Sequence, residues 1–272
     1  MLTKVYDNIF DTHTHYNDSR FSEDADKLLA SLPEAGIFRI INCGTTAASS
    51  DICRELSEKY GYVFFAAGIH GLDVKNSKPE DIEIIKELAA HKKCAAIGEI
   101  GLDYHYEAES RETQLEYFEK QLALAIELDK PVIVHDREAH LDTITLLKKY
   151  RPHGVLHCFS GSVEFMNEIL ALGMYIGLGG AVTFKNAKKP LEVAAAVPYD
   201  RLVLETDCPY MTPVPYRGER CDSSFIPLTA QKIAEIRETD PQSIIDQTTE
   251  NAMKLFGIPV NKTVSSANTQ LR

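Results

Sequence analysis

Seven side chains able to bind a cation or move a proton end short apolar runs of this sequence: His13 and His15 in NIFDTHTH, His70 in VFFAAGIH, Glu99 in AAIGEIG, His135 in PVIVHD, His157 in GVLHC and Asp207 in LVLETD. His13 and His15 are two residues apart, which on an extended strand turns both imidazoles, and Asp11 with them, to one side, where the pair can grip one ion. A carboxylate such as Glu99 can bridge two cations through its two oxygens and offset part of their mutual repulsion. His135 and His157 can offer neutral imidazoles to a second ion. Asp207 suits the first ion and can take a proton from its water. Glu205 lies two residues before it on the same strand side. A carboxylate that deep is costly unless it orients a ligand histidine or handles protons. Each residue alone has an ordinary explanation, a hydrogen-bonded core histidine or a glutamate closing a strand. Together, at one end of separate strands, they point to a two-metal hydrolase with Asp207 and Glu205 as its catalytic carboxylates.

Such residues act together only if the fold brings the strand ends to one place. Eight apolar, β-branched runs (NIFDTH, FRIINCG, VFFAAGIH, AAIGEIG, PVIVHD, GVLHCFSG, MYIGLGG and LVLETD) alternate with amphipathic stretches such as RETQLEYFEKQLALAIELDK and EAHLDTITLLKKY. Eight strands alternating with helical patterns close a parallel (β/α)8 TIM-type barrel, whose active sites lie at the carboxyl ends of the strands. Ser22 before an acidic turn and Pro79 read as helix starts, and Gly36 and Gly61 as helix stops. Glu99 is expected between two glycine-containing turns that leave its carboxylate room. One barrel over 1–260 and a polar, aperiodic tail over 261–272 account for all 272 residues.

With 44% hydrophobic and 25% charged residues the chain has ample material for one core. Its net charge of -11 argues against a general nucleic-acid coat protein, though not against a local basic mouth. The first residues carry charges and histidines where a signal peptide needs an apolar stretch, and no later run reaches membrane-spanning length. Six cysteines without a C-x-x-C pair read as reduced, buried thiols. These features imply a cytoplasmic monomer with no membrane association. Positive residues follow the fifth, seventh and eighth strands: Arg137, Lys185, Lys188, Lys189, Arg217 and Arg220. They could form a phosphate-binding rim or an ordinary solvated surface, the latter the better reading for Lys188 and Lys189. Arg217, beside Gly218, is the stronger rim candidate. His70 could touch a substrate phosphate, and His105 could reach the substrate; His91, His140 and His153 read as surface residues.

The motifs DTHTH, GIH, GEIGLDY, VIVHDR, HCFSG and LETDCPYMTP followed by RG, in this order up to about LFGI, resemble the TatD family of metal-dependent deoxyribonucleases. The resemblance implies an amidohydrolase-like barrel, a divalent-metal site, and hydrolysis of phosphodiester bonds in DNA, often from a 3′ end. Carried over by position, His13, His15 and Asp207 match the ligands of the first metal, Glu99 the bridge, and His135 and His157 the ligands of the second. Mg, Mn or Zn would suit these donors. The DNA substrate would be single-stranded or a 3′ end, met by His70, Arg137, Lys185 and Arg217. The chain departs from the family at Gly71, where Pro is usual, and in ERCDSS after the eighth strand. The alternative is an amide, lactone or phosphoester hydrolase of the same barrel group. Many of those bridge their metals with a carboxylated lysine on strand four, where this chain has Glu99 and no lysine.

Overall fold

The computed structural model describes residues 6–106 and 110–259, so the expected tail at 261–272 lies outside the described residues. Eight strands, β1 (Ile9–Thr14), β2 (Ile37–Cys43), β3 (Val63–Ala67), β4 (Cys94–Asp103), β5 (Val132–Arg137), β6 (Gly154–Leu156), β7 (Tyr175–Leu178) and β8 (Leu202–Leu204), pair in parallel in chain order. All eight runs read as strands form one. Helices α1 (Ala25–Ser31), α2 (Ala47–Lys59), α3 (Asp81–Ala89), α4 (Arg111–Glu127), α5 (His140–Tyr150), α6 (Val163–Ala171), α7 (Lys188–Ala196), α8 (Ile226–Arg237) and α9 (Pro241–Phe256) alternate with or follow them. The ring closes just beyond β8. There the Asp207 amide donates to His13 O at 2.9 Å, the His15 amide to Cys208 O at 2.8 Å, and Thr12 Oγ1 to Leu204 O at 3.0 Å. The architecture is the expected TIM-type barrel.

Every strand contributes to a single apolar cluster (Phe10, Ile41, Ala66, Ala96, Ile133, Val155, Tyr175 and Val203 among its members) with Leu255, Phe256 and Ile258. Side chains of all eight strands can meet only on the barrel axis, so these are inward positions, and the end of α9 plugs the amino-terminal mouth. Phe10 and Phe256 make that seal, with ring centroids 6.3 Å apart. Full burial of such a side chain contributes about 1.5–3 kcal/mol. Two residues further along the same strands, and so on the same side, stand His135 after Ile133, His157 after Val155 and Glu205 after Val203. A second apolar cluster, including Phe21, Phe65, Phe118 and Leu122, packs the helices onto the outside of the sheet.

Helix ends follow local chemistry. Thr46 and Ser49 form a reciprocal capping box on α2, and Asp240 accepts from the amides of Gln242 and Ser243 ahead of Pro241 in α9. Two expected starts move. Ser22 ends a short 3-10 turn, Ser19–Phe21, so α1 begins only at Ala25 behind Asp24. Pro79 lies in a turn before α3, closed where the Lys78 amide donates to Asp81 Oδ2 at 2.8 Å. Gly36 ends the turn after α1 in the left-handed conformation, φ 86°. Among the described residues no helix is long and apolar enough to cross a membrane, and all six cysteines are free.

Candidate metal centre

Glu99 is the hub of the upper barrel, 4% exposed and ringed by imidazoles. Its Oε2 lies 3.3 Å from His13 Nε2 and 3.4 Å from His15 Nε2. Its Oε1 lies 2.8 Å from His157 Nε2, 3.1 Å from His135 Nδ1 and 3.4 Å from His70 Nε2. Each oxygen thus faces its own set of nitrogens. Asp207 Oδ1 joins the first set, 3.4 Å from His15 and 3.7 Å from His13. Glu99 is not between turns, as expected, but inside β4. Its neighbour Gly101, at φ 136°, is needed there because a Cβ would stand 2.0 Å from His135 O, so the close approach of β5 requires glycine.

Second contacts aim the imidazoles. His15 Nδ1 donates to Cys43 O at 3.0 Å, which turns its Nε2 inward. His135 Nε2 donates to Asp103 Oδ2 at 3.1 Å, which leaves Nδ1 for the centre. His70 Nδ1 accepts from the Leu72 amide at 3.1 Å, so its Nε2 carries the proton and enters the site as a donor. Asp11, fully buried, accepts from the Thr206 amide at 3.0 Å and the Thr206 hydroxyl at 2.7 Å. It is a brace for the segment carrying Asp207. Asp207 itself is not on β8, which ends at Leu204; it lies three residues beyond, at φ 59°. Glu205 sits beneath His157, 1% exposed, and accepts from the Cys158 amide. Gly177 makes room for it, since a Cβ there would lie 2.5 Å from Glu205 Oε2.

Burial opposes every charge here, and the contacts decide which survive. Against burial, the bonds of His15 to Asp207 and Glu99 raise its pKa to about 10, and those of His135 to Asp103 and Glu99 raise it to about 9. Burial and the neighbouring His157 lower His13 to about 4. The imidazoles of His157, His70 and His13 outweigh the burial of Glu99 and hold its carboxyl well below the usual range. Burial lifts Glu205 to about 7. The centre therefore draws positive charge to two points, beside His15 and beside His135.

A cavity of about 700 Å³ opens over this cluster, walled by His15, His70, Glu99, His135, His157 and Asp207 together with Asp73, Asp103, Tyr106 and Tyr210. The rim residues are set back from it. Arg137, Lys185 and Arg217 are exposed and do not line the cavity. Arg217 lies 3.9 Å over the Phe184 ring and donates to Thr212 O at 3.2 Å. Arg220 is held by Asp24 at 2.7 Å. His105 pairs with Glu138 at 2.8 Å.

A family model described as TatD related DNase matches residues 10–257. The chain belongs to that family. A Bacillus subtilis protein named as the metal-dependent hydrolase YabD is 41% identical over 92% of this chain and 99% of its own length. A Citrobacter rodentium protein named as the 3′-5′ ssDNA/RNA exonuclease TatD is 34% identical over 92% of this chain and 98% of its own. The crystal structure of a TatD homologue from Escherichia coli K12 superposes with a TM-score of 0.87 at 30% identity, covering 93% of this chain and 99% of that one. The chain is accordingly a TatD-family metal-dependent hydrolase.

The donors fit the divalent cations such a hydrolase needs. His13 Nε2 and His15 Nε2 converge to 3.0 Å, and His135 Nδ1 and His157 Nε2 to 3.2 Å, contacts between ring nitrogens that need a proton or a cation between or beside them. His157 Nδ1 and Glu205 Oε2 are buried without hydrogen-bond partners. Three overlapping donor sets, His13–His15–Glu99, His13–His157–Glu205 and His70–Glu99–His135, each gather within 4.8 Å. In this TatD-family site the residue that sequence reasoning missed is Asp103. Its signal was there: Glu99, Gly101 and Asp103 alternate along one strand, so the aspartate shares the glutamate's side.

Proposed function

We propose that this TatD-family hydrolase is a 3′-5′ exonuclease acting on single-stranded DNA through two divalent cations, Mg, Mn or Zn. The observation that carries the reading is the division of Glu99, with Oε2 toward His13 and His15 and Oε1 toward His135 and His157. His13, His15 and Asp207 would hold one cation, His135 and His157 the other, and Glu99 both. When bound, the cations polarise the scissile phosphate and make water acidic enough to attack it at neutral pH.

The rest is the work of the chain. Asp207, at the cavity wall, accepts the proton of the attacking water, and Glu205, raised by burial to about 7, faces His157 Nδ1 at 3.8 Å and steadies that imidazole with its Nε2 toward the centre. His70 donates from Nε2 to a phosphate oxygen. Arg137, Lys185 and Arg217, outside the cavity, meet phosphates of the strand leaving it. The relatives named as ssDNA/RNA exonucleases support a nucleic-acid substrate for this site. β4 carries no lysine to bridge metals in the manner of the amide and lactone hydrolases.

The test is a panel of 5′-labelled single-stranded DNA, duplex DNA and RNA with each metal. Stepwise shortening of single-stranded DNA from the 3′ end, abolished by chelator and by Asp207→Ala in a folded protein, is the expected result. Turnover of esters or amides with every oligonucleotide left intact would overturn it.

A further inference from the structure

The cavity has a feature that a phosphate-binding site does not lead one to expect: among the described residues lining it, none is Lys or Arg, while Asp18, Asp73, Asp103 and Asp207 all are lining residues. Side-chain charge at this wall repels a nucleic-acid backbone, so affinity beyond the scissile phosphate needs another source. Two tyrosines stand at the wall instead, Tyr106 after β4 and Tyr210 after β8, 68% and 46% exposed.

Tyr210 is exposed and yet fixed. Its amide donates to Asp207 O at 2.9 Å, placing the ring one turn from the centre, edge-on to His15 with centroids 6.5 Å apart. Its hydroxyl donates to Asp18 Oδ2 at 3.1 Å. The Arg20 guanidinium covers one face of the ring at 3.9 Å and is itself held by Asp18 through two bonds of 3.1 Å. The covered face is taken and the ring still lines the cavity, so its open surface is turned to the incoming ligand. A rigid aromatic platform of this kind loses little entropy when a flat ring is laid on it.

We propose that Tyr210, with Tyr106 also lining the cavity, is a specificity-determining residue that stacks an unpaired nucleobase next to the scissile phosphate. This rests on the nuclease reading above and gives it a physical reason for preferring single strands: a paired base is already stacked and its face is closed to tyrosine.

The experiment walks an abasic nucleotide through the last three positions of a single-stranded oligonucleotide and measures KM and kcat for the wild type, Tyr210→Ala, Tyr210→Phe and Tyr106→Ala. Loss of one stacked base should raise the wild-type KM by about 5- to 150-fold at one position. Tyr210→Ala should show that same rise on the normal oligonucleotide and no additional rise when the base at that position is missing, while Tyr210→Phe, which keeps the ring, should restore the base dependence. A wild type indifferent to the abasic site at all three positions overturns the stacking role even if Tyr210→Ala does not fold. So does a Tyr210→Ala loss of equal size with and without the base. Shortening that ignores the bases would leave the nuclease reading standing; a wild type that shortens no oligonucleotide with Mg, Mn or Zn would remove both.

Discussion

Inside the barrel, two layers one pleat apart differ in what they ask of the same strands. Ile133, Val155 and Val203 lie in the lower layer, each essentially buried and apolar, sealed below by Phe256. Two residues on, His135, His157 and Glu205 lie in the upper layer, ionisable, the last two nearly as enclosed and His135 partly open to the cavity. The lower layer gains from every atom it hides. The upper layer loses solvation for every charge, and recovers part of it through the contacts around Glu99, while His157 Nδ1 and Glu205 Oε2 stay without hydrogen-bond partners. Stability and chemistry are thus separated along the barrel axis by a single step of strand alternation.

The sharpest way to break that separation is Glu99→Gln, which keeps shape and removes the charge facing both histidine sets. Turnover should fall on the order of 10³-fold, and the number of cations held, counted by metal analysis after gel filtration, should drop below that of the parent. A variant that retained both would mean the upper layer is structural after all.

A smaller effect is expected one contact further out. Asp103 Oδ1 accepts from the amides of His105 and Tyr106, both at 3.0 Å, and its Oδ2 accepts from His135 Nε2. In Asp103→Asn the amide group would keep its oxygen on the two backbone donors and turn its NH2 toward His135 Nε2, setting donor against donor. The imidazole must then shift its proton to Nδ1, the atom aimed at Glu99. Cation affinity should weaken about 10- to 100-fold, measured by titration calorimetry; unchanged affinity would show that Asp103 does not orient the ring.

The lower layer should answer in the other currency. Ile133→Val removes one methyl group two residues before His135 and should cost about 0.5–1.5 kcal/mol in chemical unfolding, with turnover per folded molecule unaltered. If turnover fell with stability, the two layers would be mechanically coupled.

Strand parity explains why so much of this was legible in the amino-acid sequence. A two-residue repeat relates Ile133 to His135 and Val155 to His157 directly, and an apolar residue two positions before a histidine reports its inward side. Past β8 the logic fails. Asp207 and Met211 take left-handed backbone conformations, φ 59° and 54°, and the segment is held by Asp11, nearly two hundred residues away in sequence (|i−j| = 195), a tertiary constraint that no local pattern encodes. The basic residues stand further from the centre than their place in the sequence suggests, for a related reason. Membership of a loop on the correct face says nothing of where a long side chain points, and Arg220 is drawn to Asp24 and Arg217 to the Phe184 ring.

Arg137 then gives the finest test of how far the upper layer extends. It closes β5, paired in register with Asp103, yet it is exposed and outside the cavity wall. A cation so placed can meet a phosphate of the departing strand but not the scissile one. Arg137→Ala should therefore leave kcat nearly unchanged, raise KM modestly for long oligonucleotides, and reduce the slope of log affinity against log salt by about 0.7, the share of one phosphate on a single strand. Dinucleotides, too short to reach it, should not distinguish the variant from its parent. A fall in kcat approaching that of Glu99→Gln would instead place this guanidinium at the reacting phosphate and extend the chemical layer past the wall of the cavity.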